Sequence, residues 1–245
     1  MGAMDVLIVG AGAMGRWFGE VVGEEGRVAF VDREAEAARE AADAVGGRAI
    51  PEETAERFDI VCLAVPIPAV ERVIELYAPL ADRALADVSG VMGAPIEAME
   101  AVAPEREHVS LHPLFAPENA PGNVPVVAGG GPVAEWIEER LREAGNALVA
   151  TTPEEHDRAM ETVQTKAHTA VLAYALAADA VPEGFETPVS RELDGLVRTV
   201  TGGNPRVYAD IQSAFPGSAD VAEAAIDVAE ADRTEFESLY REAGE

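Results

Sequence analysis

The sequence predicts an α/β protein in which an N-terminal doubly wound sheet is followed by an all-α C-terminal domain. Over the first 150 residues, short apolar runs typical of buried strands alternate with helical stretches. This alternation favours a parallel sheet with helices on both faces. No convincing strand follows residue 152, so we predict two domains, residues 1–152 and residues 153–245.

The predicted strands are compact apolar runs. They are segments 5–10, 27–32, 58–65, 84–89, 107–112, 124–129 and 147–151. Residues 16–26, between the first two strands, predict one helix. The alanine-rich residues 34–47, after the second strand, predict another helix that stops at a glycine pair.

The second half of the chain begins with a long predicted helix over residues 151–180. Thr152 can cap it, Pro153 suits its first turn, and Glu155 stands three residues after the cap. The remaining helical segments are residues 187–200, 204–215 and 218–245.

The chain is strongly acidic. It carries 45 acidic and 18 basic residues, a formal net charge of −27, and its basic residues are seventeen arginines and one lysine, Lys166. Such a surface repels nucleic acid and anionic membranes, so we expect neither as a partner. Acid excess with almost no lysine is typical of halophilic proteins, because molar salt shortens the screening length to about 3 Å.

Cysteine use and hydropathy exclude several other classes. Cys62 is the one cysteine, which excludes an internal disulfide, and we predict no metal site because no His, Cys and carboxylate set has ligand spacing. No apolar run reaches the roughly 18 residues of a membrane span, and the N-terminus enters a strand without a signal sequence. We interpret the protein as cytoplasmic.

A glycine-rich turn, "IVGAGAMGRWFGE", follows the first strand and opens a helix. In this pattern Gly10 permits the tight turn, Gly12 lets the backbone approach a pyrophosphate, and Gly15 lets the helix pack on the strand. The helix start at Ala13 and Met14 offers free N–H groups and a partial positive charge to phosphates. The N-terminal sheet is thus predicted to be a dinucleotide-binding domain.

An acidic residue and a second strand end complete the predicted cofactor site. Asp32 comes 22 residues after Gly10, where a carboxylate can hold the ribose hydroxyls. It favours NAD, because the 2′-phosphate of NADP would meet its negative charge, although the neighbouring Arg33 keeps NADP open. Val65 and Pro66 are expected at the carboxyl edge of the sheet, where such folds bind ligands.

The stretch "SLHPLFAPENAPG" places a histidine at a strand end, in front of a loop held by prolines. Pro113 disfavours the helical region for His112, whose ring could cap the core or move a proton. Further along, Gln164 and His168 share a helix face, as do Arg191 and Arg198. These side chains suit a substrate with carboxylates, although both arginines could also form surface ion pairs.

Taken together, these segments resemble one family. "SLHPLFAP", "EEHDRAMETVQTKAH" and "SRELDGLVRTVTGGNPRVYADI", in this order after a dinucleotide turn, resemble prephenate dehydrogenase over residues 4–215, and "DVSGVMGAPIEAM" is also similar. The resemblance implies that NAD oxidises prephenate at its C4 hydroxyl, in tyrosine biosynthesis. The ring carboxylate then leaves as CO2, and 4-hydroxyphenylpyruvate forms.

The resemblance also implies roles for single residues. It places the catalytic histidine on His112, whose neutral imidazole would accept the C4 hydroxyl proton as hydride leaves. Gln164, His168 and Arg191 match positions around the substrate.

At several positions the sequence departs from the family pattern. The usual serine falls on Gly90 and the usual lysine on Met92, so Ser89 is the neighbouring hydroxyl that we expect to serve. A second substrate-binding arginine falls on Thr199, and we assign its role to Arg198, one residue earlier.

The resemblance further implies a stand-alone enzyme and a homodimer formed by the helical part, with "AVLAYALAADAV" as the interface. Three alternatives stay open: an arogenate dehydrogenase, another two-domain NAD(P)-dependent reductase that relies on Lys166, and a non-catalytic NAD-binding regulator. His108 and His156 are interpreted as structural, and Asp157 as support for a helix start.

Overall fold

The computed structural model describes residues 3–244, which form one sheet and a set of helices. The strands are β1 (Asp5–Val9), β2 (Arg27–Val31), β3 (Arg48–Ala49), β4 (Phe58–Leu63), β5 (Ala81–Asp87), β6 (Glu107–Leu111), β7 (Asn123–Ala128) and β8 (Ala147–Ala150). The helices of the first part are α1 (Ala13–Gly23), α2 (Ala35–Val45), α3 (Val70–Tyr77), α4 (Gly93–Val102) and α5 (Pro132–Glu143). The later helices are α6 (Pro153–Met160), α7 (Ala167–Ala177), α8 (Pro188–Thr201), α9 (Pro205–Ala214), α10 (Ser218–Glu230) and α11 (Arg233–Glu242).

The sheet has the order β3-β2-β1-β4-β5-β6-β7-β8, and its pairs are parallel except for β6 with β7. The fold class predicted from the sequence is therefore confirmed, with one antiparallel exception. That exception has a physical reason, because a parallel connection needs a crossover, usually a helix. Residues 112–122 between β6 and β7 contain three prolines and form only a single 3-10 turn at Pro117–Asn119.

The strand order reverses between β1 and β4, which is where parallel sheets of this kind open a crevice outside the carboxyl ends of their strands. Because β2, β1, β4, β5 and β6 run parallel, their carboxyl ends share one edge. The glycine turn after β1 and the histidine after β6 therefore belong to the same edge of the sheet.

Each face of the sheet is covered by its own apolar layer. Residues such as Val6 and Ile8 pack with α1, α2 and α5 on one face, while Leu7 and Val9 pack with α3 and α4 on the other. This double burial explains why the strands are continuous apolar runs rather than alternating ones. Cys62 is buried in β4, as expected of a small apolar side chain.

The chain divides into two compact units, residues 1–157 and 158–245. The division lies five residues after the boundary expected from the sequence. In the second unit the described residues contain helices and no strand. Its predicted last helix is interrupted at Asp232, whose side chain accepts from the N–H groups of Thr234 and Glu235 and so begins α11.

The predicted long helix over residues 151–180 begins as expected, with the N–H of Glu155 donating to Thr152 Oγ1 at 3.2 Å. It is not uniformly α-helical, however, because Glu161–Lys166 form a π-helical turn between α6 and α7. Such turns are rare and concentrate at functional sites. Within the described part of the chain, no helix combines the length and apolar character that crossing a bilayer requires.

Candidate active site

The glycine turn is shaped by the backbone that it touches. Gly10 has φ +104°, and a Cβ on it would lie 2.2 Å from the carbonyl oxygen of Ala64, just after β4. A Cβ on Gly15 would lie 2.0 Å from the carbonyl oxygen of Gly10, so α1 packs directly on the turn. A Cβ on Gly12 would meet no atom within 4 Å, so the backbone faces open space there. Ala13 and Met14 follow in the first turn of α1.

Asp32, at the end of β2, is held beside this turn. Its Oδ2 accepts from the N–H of Ala11 at 2.7 Å, and its Oδ1 accepts from the N–H of Glu34 at 2.9 Å. On the other side, Arg16 Nε donates to the carbonyl oxygen of Ala11 at 3.1 Å, a brace that the sequence interpretation missed. Val65 lies against Gly10, and the exposed Pro66 follows it. The carboxylate, the glycine turn and the end of β4 thus meet at one edge.

His112 directly follows β6, and its side chain is buried. Its N–H donates to the carbonyl oxygen of Pro125 at 3.1 Å, and the N–H of Leu114 donates to that of Asn123 at 3.0 Å, which extends the pairing with β7. The Phe115 ring packs edge-on against a tryptophan of α1, with ring centroids 5.4 Å apart. The loop that carries the histidine is therefore held by hydrogen bonds and by packing.

A second histidine lies behind His112. Nδ1 of His112 and Nε2 of His156 are 2.8 Å apart, and Nδ1 of His156 lies 2.7 Å from Oδ1 of Asp157. Asp157 also accepts from the N–H groups of Met92 and Gly93 at 3.1 Å, so it caps the start of α4 rather than of its own helix. The three side chains form one hydrogen-bonded chain inside the first unit.

Burial, and then the neighbouring His156, lower the pKa of His112 to about 3, while Asp157 acts in the opposite direction. The imidazole of His112 is therefore neutral at neutral pH. A neutral ring is the form that accepts a proton, although so low a pKa makes the isolated ring a weak base.

A further acidic group lies at the end of β5. Burial raises the pKa of Asp87 to about 6, and the nearby hydroxyl of Ser110 and the hydrogen bonds from Ser89 partly oppose this rise. Ser89 donates both its N–H and its hydroxyl to Oδ2 of Asp87, at 2.9 and 2.6 Å. The hydroxyl expected to bind substrate is thus already committed to a carboxylate. Next to it, Gly90 has φ +93°, and a Cβ there would lie 3.4 Å from Nε2 of His112.

The second unit contains the other predicted substrate residues. Gln164 lies in the π-helical turn, and the ring of His168 packs against that of Tyr208 with centroids 4.7 Å apart. Burial lowers the pKa of His168. Lys166, the residue on which another reductase would rely, forms an ion pair with Asp220 at 2.6 Å.

The remaining predicted positions differ in exposure. Arg191 and Arg198 are exposed on α8, on which Thr199 donates its hydroxyl to the carbonyl oxygen of Gly195. Met92, at the position of the family's lysine, is fully buried. Among the histidines interpreted as structural, His108 has its Nε2 2.9 Å from the carbonyl oxygen of Ala103.

His156 and Asp87 are the functional candidates that the sequence interpretation missed. The signal for Asp87 was present, because an acidic residue at the end of an apolar strand is rarely buried without a purpose. His156 had no comparable signal, since its neighbour His112 is 44 residues away in the chain.

The chain is similar in sequence to known dehydrogenases. The family model described as "Prephenate dehydrogenase, nucleotide-binding domain" matches residues 20–124. A 4-amino-4-deoxyprephenate dehydrogenase of Streptomyces pristinaespiralis is 30% identical over 230 residues, which cover 87% of this chain and 78% of the relative. A probable arogenate/prephenate dehydrogenase of Methanocaldococcus jannaschii is 27% identical, over 97% of this chain and 59% of the relative.

Among solved structures, prephenate dehydrogenase from A. aeolicus, in complex with hydroxyphenyl propionate and NAD+, has a similar fold. It aligns with a TM-score of 0.73 and 18% identity, over 100% of this chain and 93% of that one. The fold thus agrees with what the sequence relatives indicate, and the chain belongs to the prephenate dehydrogenase family of oxidoreductases.

Proposed function

We propose that the protein catalyses the NAD-dependent oxidative decarboxylation of prephenate to 4-hydroxyphenylpyruvate. The observation that carries the proposal is the buried His112, held at the same sheet edge as the glycine turn. Membership of the family and the names of its relatives support the reaction and its substrate. The chain spans 59% of the length of the M. jannaschii relative. The full activity of that relative is therefore only proposed for this protein.

The residues of the turn fit a dinucleotide. The open space at Gly12 and the N-terminus of α1 suit a pyrophosphate, because unpaired N–H groups and the helix dipole attract phosphate. Asp32 suits the ribose hydroxyls and favours NAD over NADP through its charge. When bound, NAD supplies the acceptor for the hydride that leaves ring C4.

The role of His112 is that of a general base. Its neutral imidazole accepts the proton of the C4 hydroxyl while hydride leaves the same carbon. The C1–carboxylate bond then breaks, and its electron pair enters the ring, which becomes aromatic. The resulting phenolate takes back a proton, so His112 ends the cycle neutral. Substrate contacts by Ser89, Gln164, His168, Arg191 and Arg198 stay predictions, and the commitment of Ser89 to Asp87 weakens the first of them.

Two other substrates are supported by specific relatives. Arogenate, which has an amino group in place of the side-chain keto oxygen, is named for the M. jannaschii protein. 4-Amino-4-deoxyprephenate, with an amino group at C4, is named for the S. pristinaespiralis protein. Both would use the same fold and the same hydride transfer.

An absorbance assay in molar potassium chloride tests the proposal. Each of the three substrates is mixed with the protein and either NAD or NADP, and reduced cofactor is followed. We expect prompt NADH formation with prephenate and slower turnover with NADP. Turnover confined to one of the two amino compounds would show that this compound, rather than prephenate, is the substrate. No turnover with any of them, by folded protein that binds NAD, would overturn the proposed reaction.

We also infer that the protein works in concentrated salt. The net charge of −27 and the single lysine support this, because so many like charges repel one another unless salt screens them. A cytoplasmic location stays a prediction from the sequence, which cell fractionation would test.

The proposal includes a homodimer formed through the helical unit. Its described residues bury few apolar side chains, whereas several large ones are exposed, among them Leu176 at 89% and Phe185 at 75%. An apolar surface of this kind is typical of an interface. The predicted interface, residues 170–181, includes Leu176.

One experiment tests salt dependence and assembly together. In molar potassium chloride we expect a sedimenting species of twice the 25.7 kDa of one chain, with a folded circular dichroism spectrum. In dilute buffer we expect loss of the folded signal. A stable monomer in molar salt would contradict the dimer, and full stability in dilute buffer would contradict the salt requirement.

A further inference from the structure

The hydrogen-bonded chain behind His112 does more than fill space. His156 is buried, with its side chain 1% exposed, and it lies between His112 and Asp157 with one ring nitrogen directed at each. We propose that His156 and Asp157 are positioning residues that fix the tautomer of His112 and accept its Nδ1 proton when its Nε2 takes a proton from the substrate. This inference rests on the proposed function and deepens it.

The direction of each hydrogen bond follows from what its partners can donate. Burial raises the pKa of Asp157, but hydrogen bonds from His156, Gly93 and Met92 outweigh it and hold the pKa below its usual value. Asp157 is therefore ionised and can only accept, so Nδ1 of His156 carries a proton. In neutral His156, Nε2 then accepts, and the donor is Nδ1 of His112.

That assignment selects the basic atom. A neutral imidazole carries one proton, and if Nδ1 of His112 holds it, the lone pair is on Nε2. Nε2 is the atom that faces Gly90, where a Cβ would approach to 3.4 Å. The hydrogen bonds formed by His156 and Asp157 therefore make Nε2 of His112, rather than its Nδ1, the basic atom.

The same hydrogen bonds explain how His112 can act as a base although its pKa is low. If Nε2 of His112 accepts the C4 hydroxyl proton and the charge stays there, a buried imidazolium forms, which burial disfavours. Moving the Nδ1 proton across 2.8 Å to Nε2 of His156 leaves His112 neutral. His156 then carries a proton on both nitrogens beside ionised Asp157, and no proton is gained or lost in the transfer.

Two carboxylates favour this arrangement. Asp157 is in direct contact with His156, and Asp87 is close enough for its charge and that of His156 to interact. When the phenolate product takes the proton back from Nε2 of His112, the Nδ1 proton returns from His156. The resting state is thereby restored.

The first measurement needs no turnover. The 15N chemical shifts of the His112 ring in the whole protein distinguish a protonated from an unprotonated ring nitrogen. We expect a protonated Nδ1 and an unprotonated Nε2 at neutral pH. The opposite tautomer in the wild-type protein would overturn the inference, whichever substrate the enzyme uses.

The second measurement uses two replacements of one residue. His156→Phe keeps a ring but removes the acceptor, and we expect kcat to fall at least 100-fold, a change in the His112 tautomer, and an unchanged Kd for NAD. His156→Gln keeps an oxygen that accepts from Nδ1 but cannot carry the proton. We expect it to retain the tautomer and to lose about tenfold in kcat, less than the 10²- to 10⁴-fold that a general base itself contributes.

The control is His108, which lies on β6, the strand that His112 directly follows. The ring of His108 forms a hydrogen bond with the backbone carbonyl of Ala103, and His108→Gln is expected to keep kcat within twofold. If both His156 variants kept the wild-type kcat, or lost it only in proportion to their thermal stability with the tautomer unchanged, the role would be structural. If His156→Phe failed to fold, His156→Gln and the wild-type 15N shifts would still decide.

Discussion

Replacing His112 by asparagine is expected to lower kcat by about 10²- to 10⁴-fold, the usual contribution of a general base. Asparagine cannot take the C4 hydroxyl proton, yet its amide N–H can still donate towards Nε2 of His156, which lies 2.8 Å from Nδ1 of the native ring. Steady-state kinetics in molar salt, with calorimetric titration of NAD, measure both effects. The Kd for NAD should be unchanged, since the glycine turn and Asp32 are untouched.

His108→Asn is the matched control, because it changes the same residue type on β6, the strand that the proposed base directly follows, at a position whose ring bonds to Ala103. It should keep both kcat and the Kd for NAD. An His112→Asn variant with wild-type kcat would remove His112 from the chemistry and leave it as a buried strand cap.

Gly10→Ala is expected to destabilise the protein by about 2–5 kcal/mol, from strained backbone and overpacking. Gly10 has φ +104°, a backbone conformation that residues with a side chain rarely adopt. The new Cβ would also lie 2.2 Å from the backbone oxygen of Ala64. Backbone at the centre of a sheet cannot move aside cheaply. Since whole proteins are stable by only about 5–15 kcal/mol, thermal unfolding should show a clear fall in Tm.

Substitutions at two other glycines distinguish backbone strain from the close contact at Ala64 as causes of the destabilisation. Gly46 also has positive φ, +70°, but a Cβ there meets no atom within 4 Å, so Gly46→Ala should cost only about 1–2 kcal/mol. Gly12→Ala meets no protein atom either, and it should keep its Tm but weaken NAD binding, because the methyl group enters the proposed pyrophosphate space. Equal Tm values for the Gly10 and Gly46 variants would contradict the tight contact at Ala64.

Much of the sheet could be predicted because strands buried on both faces leave an unmistakable apolar run. The strand at 58–65 is an example, observed as Phe58–Leu63. The two-residue strand β3 escaped, since two residues carry no periodicity. The strand β7 was predicted at residues 124–129, but its antiparallel direction was not, although its proline-rich connection already disfavoured the helical crossover of a parallel strand.

In the candidate site, too, some features could be predicted from the sequence and others could not. The turn at Gly10, the carboxylate of Asp32 and the histidine of "SLHPLF" follow from local sequence, because the position of each along a strand sets its place at the carboxyl edge. The π-helical turn at Glu161–Lys166 does not, since its residues suit an ordinary α-helix equally well.

By itself, the sequence determined the α/β fold, the cofactor turn and the placement of His112 at a strand end, because these depend on short-range pattern and on backbone limits at glycine and proline. Only the tertiary structure decided what stands behind that histidine. His156 is 44 residues from His112 along the chain, and Asp157 is bonded to a helix start more than 60 residues before it. A hydrogen bond between side chains requires their atoms to lie within about 3 Å, and that distance is set by how the sheet and α6 pack, which no local pattern records.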